Sequence, residues 1–139
     1  MAMYSYNSQL AENGLKELYL EVVIGATGAV GVISRQQGFG AAYPANPRSL
    51  ASIVRNSAGN YTLNLDQRWQ GEVSVGVTII GIPTAAGDGT SLFVVSRNLN
   101  QAQPNIVVQF MAYNAATTPA DPTNGVTLQF YVALKDSTV

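Results

Sequence analysis

Hydrophobic residues in this chain recur at every second position over short runs, with turn-forming residues between them. In Glu72-Val73-Ser74-Val75-Gly76-Val77-Thr78-Ile79 every odd position is Val or Ile and every even position after Glu72 is small or polar. A period of two sustained over that length predicts a half-buried antiparallel strand. Leu50 to Arg55 and Asn60 to Leu65 flank Asn56-Ser57-Ala58-Gly59, and Tyr61, Leu63 and Leu65 alternate with Thr62 and Asn64. This is a hairpin signature, because the Gly supplies the left-handed backbone that a tight turn needs. Strands are also predicted over 18–24, 29–35, 91–97, 105–113 and 126–134, bounded by Gly, Pro and Asn. No alternation of strand with helix occurs, which argues against a parallel sheet. The expected fold is all-β, an antiparallel two-sheet sandwich, jelly-roll-like, of about eight strands. The last strand, followed only by Lys135 to Val139, is expected inside a sheet.

The first 17 residues read as an N-terminal arm and residues 18–139 as the sandwich domain. Ser8 to Leu20 could form a short amphipathic helix with Leu10, Leu15 and Leu18 on one side, although Asn13-Gly14 favours a turn. Such an arm either docks on a neighbour or stays unstructured. The loop from Gly38 to Pro47 is long for a connection between strands, a feature common in functional loops.

Composition narrows the functional classes. The chain has 139 residues, enough for one full core, and contains neither Cys nor His. That removes disulfides, thiolate chemistry, the commonest general base and the commonest metal ligand, so no Ser-His-Asp triad can form. An enzyme is not expected, and no cofactor is implied. Charged residues are 11% of the chain, against roughly 25% in ordinary soluble domains. Asn, Gln, Ser and Thr take their place, and a neutral polar surface loses little on being desolvated against another protein. With net charge −1 and its seven Lys and Arg residues scattered, the chain lacks the basic footprint of a nucleic-acid binder. No apolar run approaches the ~20 residues of a membrane span. Residues 1–10 do not resemble a signal peptide.

Individual residues offer little chemistry. Asp88 and Asp121 stand alone in Gly87-Asp88-Gly89 and Ala120-Asp121-Pro122, where Asp ordinarily shapes a turn. Too few carboxylates lie near either in sequence for a local calcium site, so one could form only across loops. Glu12, Glu17 and Glu21 read as a solvated or interface face. Gly38-Phe39-Gly40 lacks the Lys and Ser/Thr of a phosphate loop. Trp69, Tyr43 and Tyr113 could build a sugar-stacking platform, although loop aromatics more often pack a domain end. Three strands finish in Arg, at Arg35, Arg55 and Arg97, which is common at strand ends.

The hairpin Ile53-Val54-Arg55-Asn56-Ser57-Ala58-Gly59-Asn60-Tyr61-Thr62-Leu63-Asn64-Leu65 resembles one that recurs in small virion proteins of tailed bacteriophages. Val126 to Ser137 looks like the terminal strand of the same group. Over about residues 50–139, with the short length, the low charge and the missing Cys and His, the chain resembles phage head decoration, or cement, proteins. Tail-fibre and C1q-like trimer domains share the Gly-x-Tyr-Thr hairpin. The resemblance implies a capsid-bound β-sandwich, made in the host cytoplasm and carried on the virion. It is commonly a homotrimer at junctions of the major capsid protein, with neither nucleic acid nor membrane as partner. Capsid contact is then expected from Tyr4, Tyr6 and Leu10 of the arm and from Phe39 to Tyr43, and trimer contact from Phe130 or Val132. The alternative is a trimeric tail-fibre or receptor-binding tip that binds host glycans.

Overall fold

The computed structural model describes residues 15–34, 50–69, 71–81, 90–112 and 115–135. Nine strands run through them: β1 Leu15–Ile24, β2 Val30–Ser34, β3 Leu50–Ser57, β4 Asn60–Leu65, β5 Gly71–Ile80, β6 Thr90–Asn98, β7 Asn105–Ala112, β8 Ala115–Pro119 and β9 Thr127–Lys135. All pairings are antiparallel. Sheet A has the order β2-β1-β9-β5, and sheet B has the order β3-β4-β7-β6 with β8 added against the end of β7. The two sheets pack face to face as an all-β sandwich. The first described strand pairs with the last, and β4 pairs with β7, the closure of a chain folded back along itself in jelly-roll fashion. As expected, β9 lies within its sheet, between β1 and β5.

Alternation builds the core. Along β4 and along β7 as far as Phe110 buried and half-buried residues alternate, so Tyr61, Leu63, Leu65, Ile106, Val108 and Phe110 face inward. They meet Leu18, Leu20, Val22, Ile24, Leu128, Phe130, Val132 and Leu134 of sheet A. Fully burying one such side chain is worth about 1.5–3 kcal/mol. Trp69, beyond β4, is buried as well, and its backbone N–H donates to the Leu99 carbonyl at 3.0 Å.

Three expectations change. The strand β1 begins at Leu15, so residues 15–20 are extended rather than helical. The reason lies in tertiary pairing: β9 partners every residue from Leu15 to Val23, and this ladder outweighs a weak local helical periodicity. The segment between the strands expected over 105–113 and 126–134 contains a further strand, β8. Thr and Pro made it look irregular, but Pro119 closes an added end strand, where a missing N–H costs least. Finally, Phe130 and Val132 are 2% and 0% exposed. Both point into the core, so neither side chain is on the surface where a trimer partner could meet it. Their outward neighbours on β9 are Gln129 and Tyr131.

Candidate interaction face

One end of the sandwich is locked by a cluster that crosses both sheets. In β3, Arg55 sits opposite Tyr61 of β4, at an inward position near the hairpin. Its guanidinium grips Asp121 two-pronged, Nε to Oδ1 at 2.9 Å and Nη2 to Oδ2 at 2.7 Å. Asp121 Oδ1 also accepts from the Gly59 N–H at 2.8 Å and lies 3.0 Å from the Tyr61 hydroxyl. That hydroxyl is 2.8 Å from the carbonyl of Gly28, in the turn between β1 and β2, so its single proton serves two acceptors. The Tyr61 ring packs edge-on against Phe110, with centroids 5.6 Å apart.

Two glycines make this geometry accessible. Gly59 has φ +68°, and a Cβ there would lie 2.4 Å from the Phe110 carbonyl oxygen and 2.6 Å from the Ala120 nitrogen. Gly28 has φ +73°, and a Cβ would strike Asp121 and Arg55. The segment after β8 is stitched to both sheets, the Ala120 N–H to the Phe110 carbonyl at 3.0 Å and the Gly125 N–H to the Ile24 carbonyl at 2.7 Å.

Each titration in the cluster follows from its contacts. Hydrogen bonding to Arg55 holds the Asp121 carboxyl below its usual range against an opposing cost of burial, and the Gly59 and Tyr61 donors add to the effect. Burial, then the neighbouring Asp121 carboxylate, pushes the Tyr61 phenol up. The Asp121 hydrogen bond raises Arg55. These groups are committed to one another, and the arrangement is a structural clasp. Among the described residues no group of three or more His, Cys, Asp or Glu is placed to hold a metal ion.

The clasp ties down β3 and β4, two of the strands that form the outer face of sheet B. Register sorts the outer face of sheet B into cross-strand rows. Ser52, Asn64, Asn105 and Asn98 form one, Val54, Thr62, Val107 and Ser96 the next, and Ser57, Asn60, Gln109 and Phe93 the third. Among the described residues, register puts no Asp, Glu, Lys or Arg on this face. Hydrogen bonds hold some of its polar groups in place, Asn64 Nδ2 to Ser52 Oγ at 2.9 Å and Asn56 Nδ2 to Thr62 Oγ1 at 2.7 Å. Two apolar side chains project from it, Val54 at 45% and Phe93 at 49% exposed. Four strands at the usual spacing and about eight residues long span roughly 500 Å², over half of the ~800 Å² that one partner contributes to a standard interface. Missing charge with a projecting aromatic is the composition of an interface centre.

Tyr4, Tyr6, Leu10, Glu12, Phe39, Tyr43, Asp88 and Tyr113 lie outside the described residues. Trp69 is buried at 2% exposure, so it offers no ring to a sugar. Glu17 and Glu21 face outward on β1, where they accept hydrogen bonds from the Tyr131 hydroxyl and the Gln129 amide. The Arg55–Asp121 pair was not anticipated. Its one visible signal is that Arg55 shares the parity of Ile53, a charge at an inward-facing position of β3.

Comparison with known proteins adds no relative: no protein-family model, no curated protein and no solved structure matches the chain.

Proposed function

We propose that this protein is a structural module of a bacteriophage virion, which binds the outside of the capsid and stabilises the shell as a cement or decoration protein. The uncharged outer face of sheet B is the single observation that carries the reading. Such a face buries against a partner without stranding an ion, and apolar burial contributes about 25 cal/mol per Å² before association costs. Major capsid protein is the partner in this reading, and a homotrimer is the unit that meets it. The similarity of the β3–β4 hairpin to those of phage virion proteins supports the assignment. The glycan-binding tip is weaker as a reading, because the aromatic platform it called for includes the buried Trp69.

Electron microscopy of expanded phage capsids incubated with the purified protein tests the proposal. Added density on the outer shell is the expected result, and its loss with Val107→Glu ties it to the sheet B face. Capsids that gain no density, with the wild-type protein folded, overturn the assignment. Mass measurement in solution separately tests the trimer.

A further inference from the structure

Four strands border the two sheets, β2 and β5 in sheet A and β3 and β6 in sheet B. A bordering strand shows unpaired N–H and C=O groups, and folded proteins blunt such edges with shortness, bulges, charge or Pro. Three of the four are blunted. The strand β2 has five residues. Against β4, β3 shifts register twice, between Leu50 and Ser52 and between Arg55 and Ser57. Against β7, β6 shifts between Val94 and Ser96. By contrast β5 is ten residues long, and its one shift lies near its start, between Glu72 and Ser74. From there residues 74–80 keep unbroken register beside β9 and contain neither charge nor Pro. Among the described residues no strand pairs with the other side of β5.

The core is also less well covered on this side. Along β3 the inward Leu50 and Ile53 are buried. Along β5 the inward positions are Val75, Val77 and Ile79, opposite Val132, Phe130 and Leu128. Val75 and Val77 are only partly buried against the core, and Ile79 is 38% exposed. A strand laid along β5 would therefore complete a ladder and a core together. It would need apolar side chains at every second position, with small or polar ones between. That is the pattern of β5 itself, in Val75, Gly76, Val77, Thr78 and Ile79.

We propose that a second copy of this chain covers the edge, the two β5 strands pairing antiparallel about a twofold axis at Val77. This register aligns all seven residues of 74–80, sets Val75 opposite the partner's Ile79, and keeps the inward faces of both copies on one side. Seven residues span roughly 24 Å, and an edge about 20 Å deep through both sheets gives roughly 500 Å² per partner. The total of about 1,000 Å² is the size at which a contact becomes specific. No like charges meet within the paired stretch. A twofold contact also closes at two copies, so an uncharged β-rich edge is covered rather than left to open-ended stacking. The contact leaves both outer faces free and does not depend on what sheet B binds, and it adds to a threefold contact rather than replacing it.

Sedimentation of the full-length protein over a concentration series tests the pairing. An even number of copies is expected, two, or six where a trimer also forms. Val77→Lys sets two ammonium groups face to face on the axis and should halve that mass while the melting curve stays cooperative. Cross-linking reads the contact without a lysine beside the core. The chain has no Cys, so Val77→Cys carries a single thiol, which in this register lies about 5 Å, Cα to Cα, from its mate and within disulfide reach. Mild oxidation should give a covalent dimer about tenfold faster than for Thr62→Cys on β4. A monomer or an odd number of copies at roughly 200 µM overturns the proposal. So does cross-linking of Val77→Cys no faster than of Thr62→Cys. Slow amide exchange over 74–80 in a monomeric wild type also overturns it, because the chain's own segments then cover the edge. A lone trimer would sink this pairing and leave the capsid reading standing, whereas a dimer supports the pairing and removes the trimer.

Discussion

The two outer faces of the sandwich are laid out by the same alternation and end up chemically opposed. Sheet B shows amides, hydroxyls and a few apolar side chains, with no charge over its rows. Sheet A shows paired tyrosines and two glutamates whose partners are Gln129 and Tyr131. The first is suited to burial over a wide area, because no ion loses its hydration there. The second gathers two carboxylates and two aromatic rings around a small groove. Neither face is needed to close the core, which lies between the sheets. Surface chemistry was therefore free to diverge while the inward residues stayed uniform.

That division of labour makes its sharpest claim on β7, where Gln109 faces out and Phe110 faces in. Phe110→Ala, at a position 0% exposed, is expected to cost about 3–5 kcal/mol in urea unfolding, whereas Gln109→Ala should stay within about 0.5 kcal/mol. Comparable losses at both positions would erase the distinction between core and face.

A charge placed at the centre of sheet B should weaken binding next most strongly. Val107→Glu strands an ion in the proposed interface and is expected to weaken shell binding by about 3 kcal/mol, over a hundredfold, with little change in the melting temperature. Ser74→Glu, on the outer face of sheet A, should leave shell binding unchanged. A sedimentation assay with capsids compares the two, and equal losses would show that the faces are not functionally distinct.

The clasp sets the smaller effects. Tyr61→Phe keeps the ring against Phe110 and removes only the hydroxyl that reaches Gly28 and Asp121. A loss of about 1–2 kcal/mol is expected from chemical denaturation. Acid adds a milder signature. The Asp121 pKa is lowered on folding from its ordinary 3.8, so its contribution is present above that value and fades as pH falls through the folded-state pKa. The Tyr61 pKa is raised from 10.0, so its contribution is full below that value and declines as pH climbs above it. Stability should thus be flatter with pH below 4 in Asp121→Asn than in wild type. Parallel melting curves over that range would remove Asp121 from the account.

Much of the architecture was legible along the chain, and the reasons are local. Period-two alternation in β4 and β5 marks a strand whatever its neighbours, and Gly59 marks the hairpin because only a left-handed backbone closes it. The neutral character of the sheet B face could be read in Asn60, Thr62 and Asn64. Where signals were weak, distant partners decided. Residues 15–20 became strand because β9 offers a continuous ladder to them. Phe130 and Val132 went inside because the register of β9 between β1 and β5 assigns them to the inner face.

The sequence by itself determined that this chain folds as a β-sandwich with little charge, since alternation and composition act within a few residues. Only the tertiary structure decided which surfaces exist. The contacts that define them join residues far apart, Arg55 to Asp121 and Gln129 to Glu21. Such pairs arise from strand order and register, which short-range periodicity does not encode.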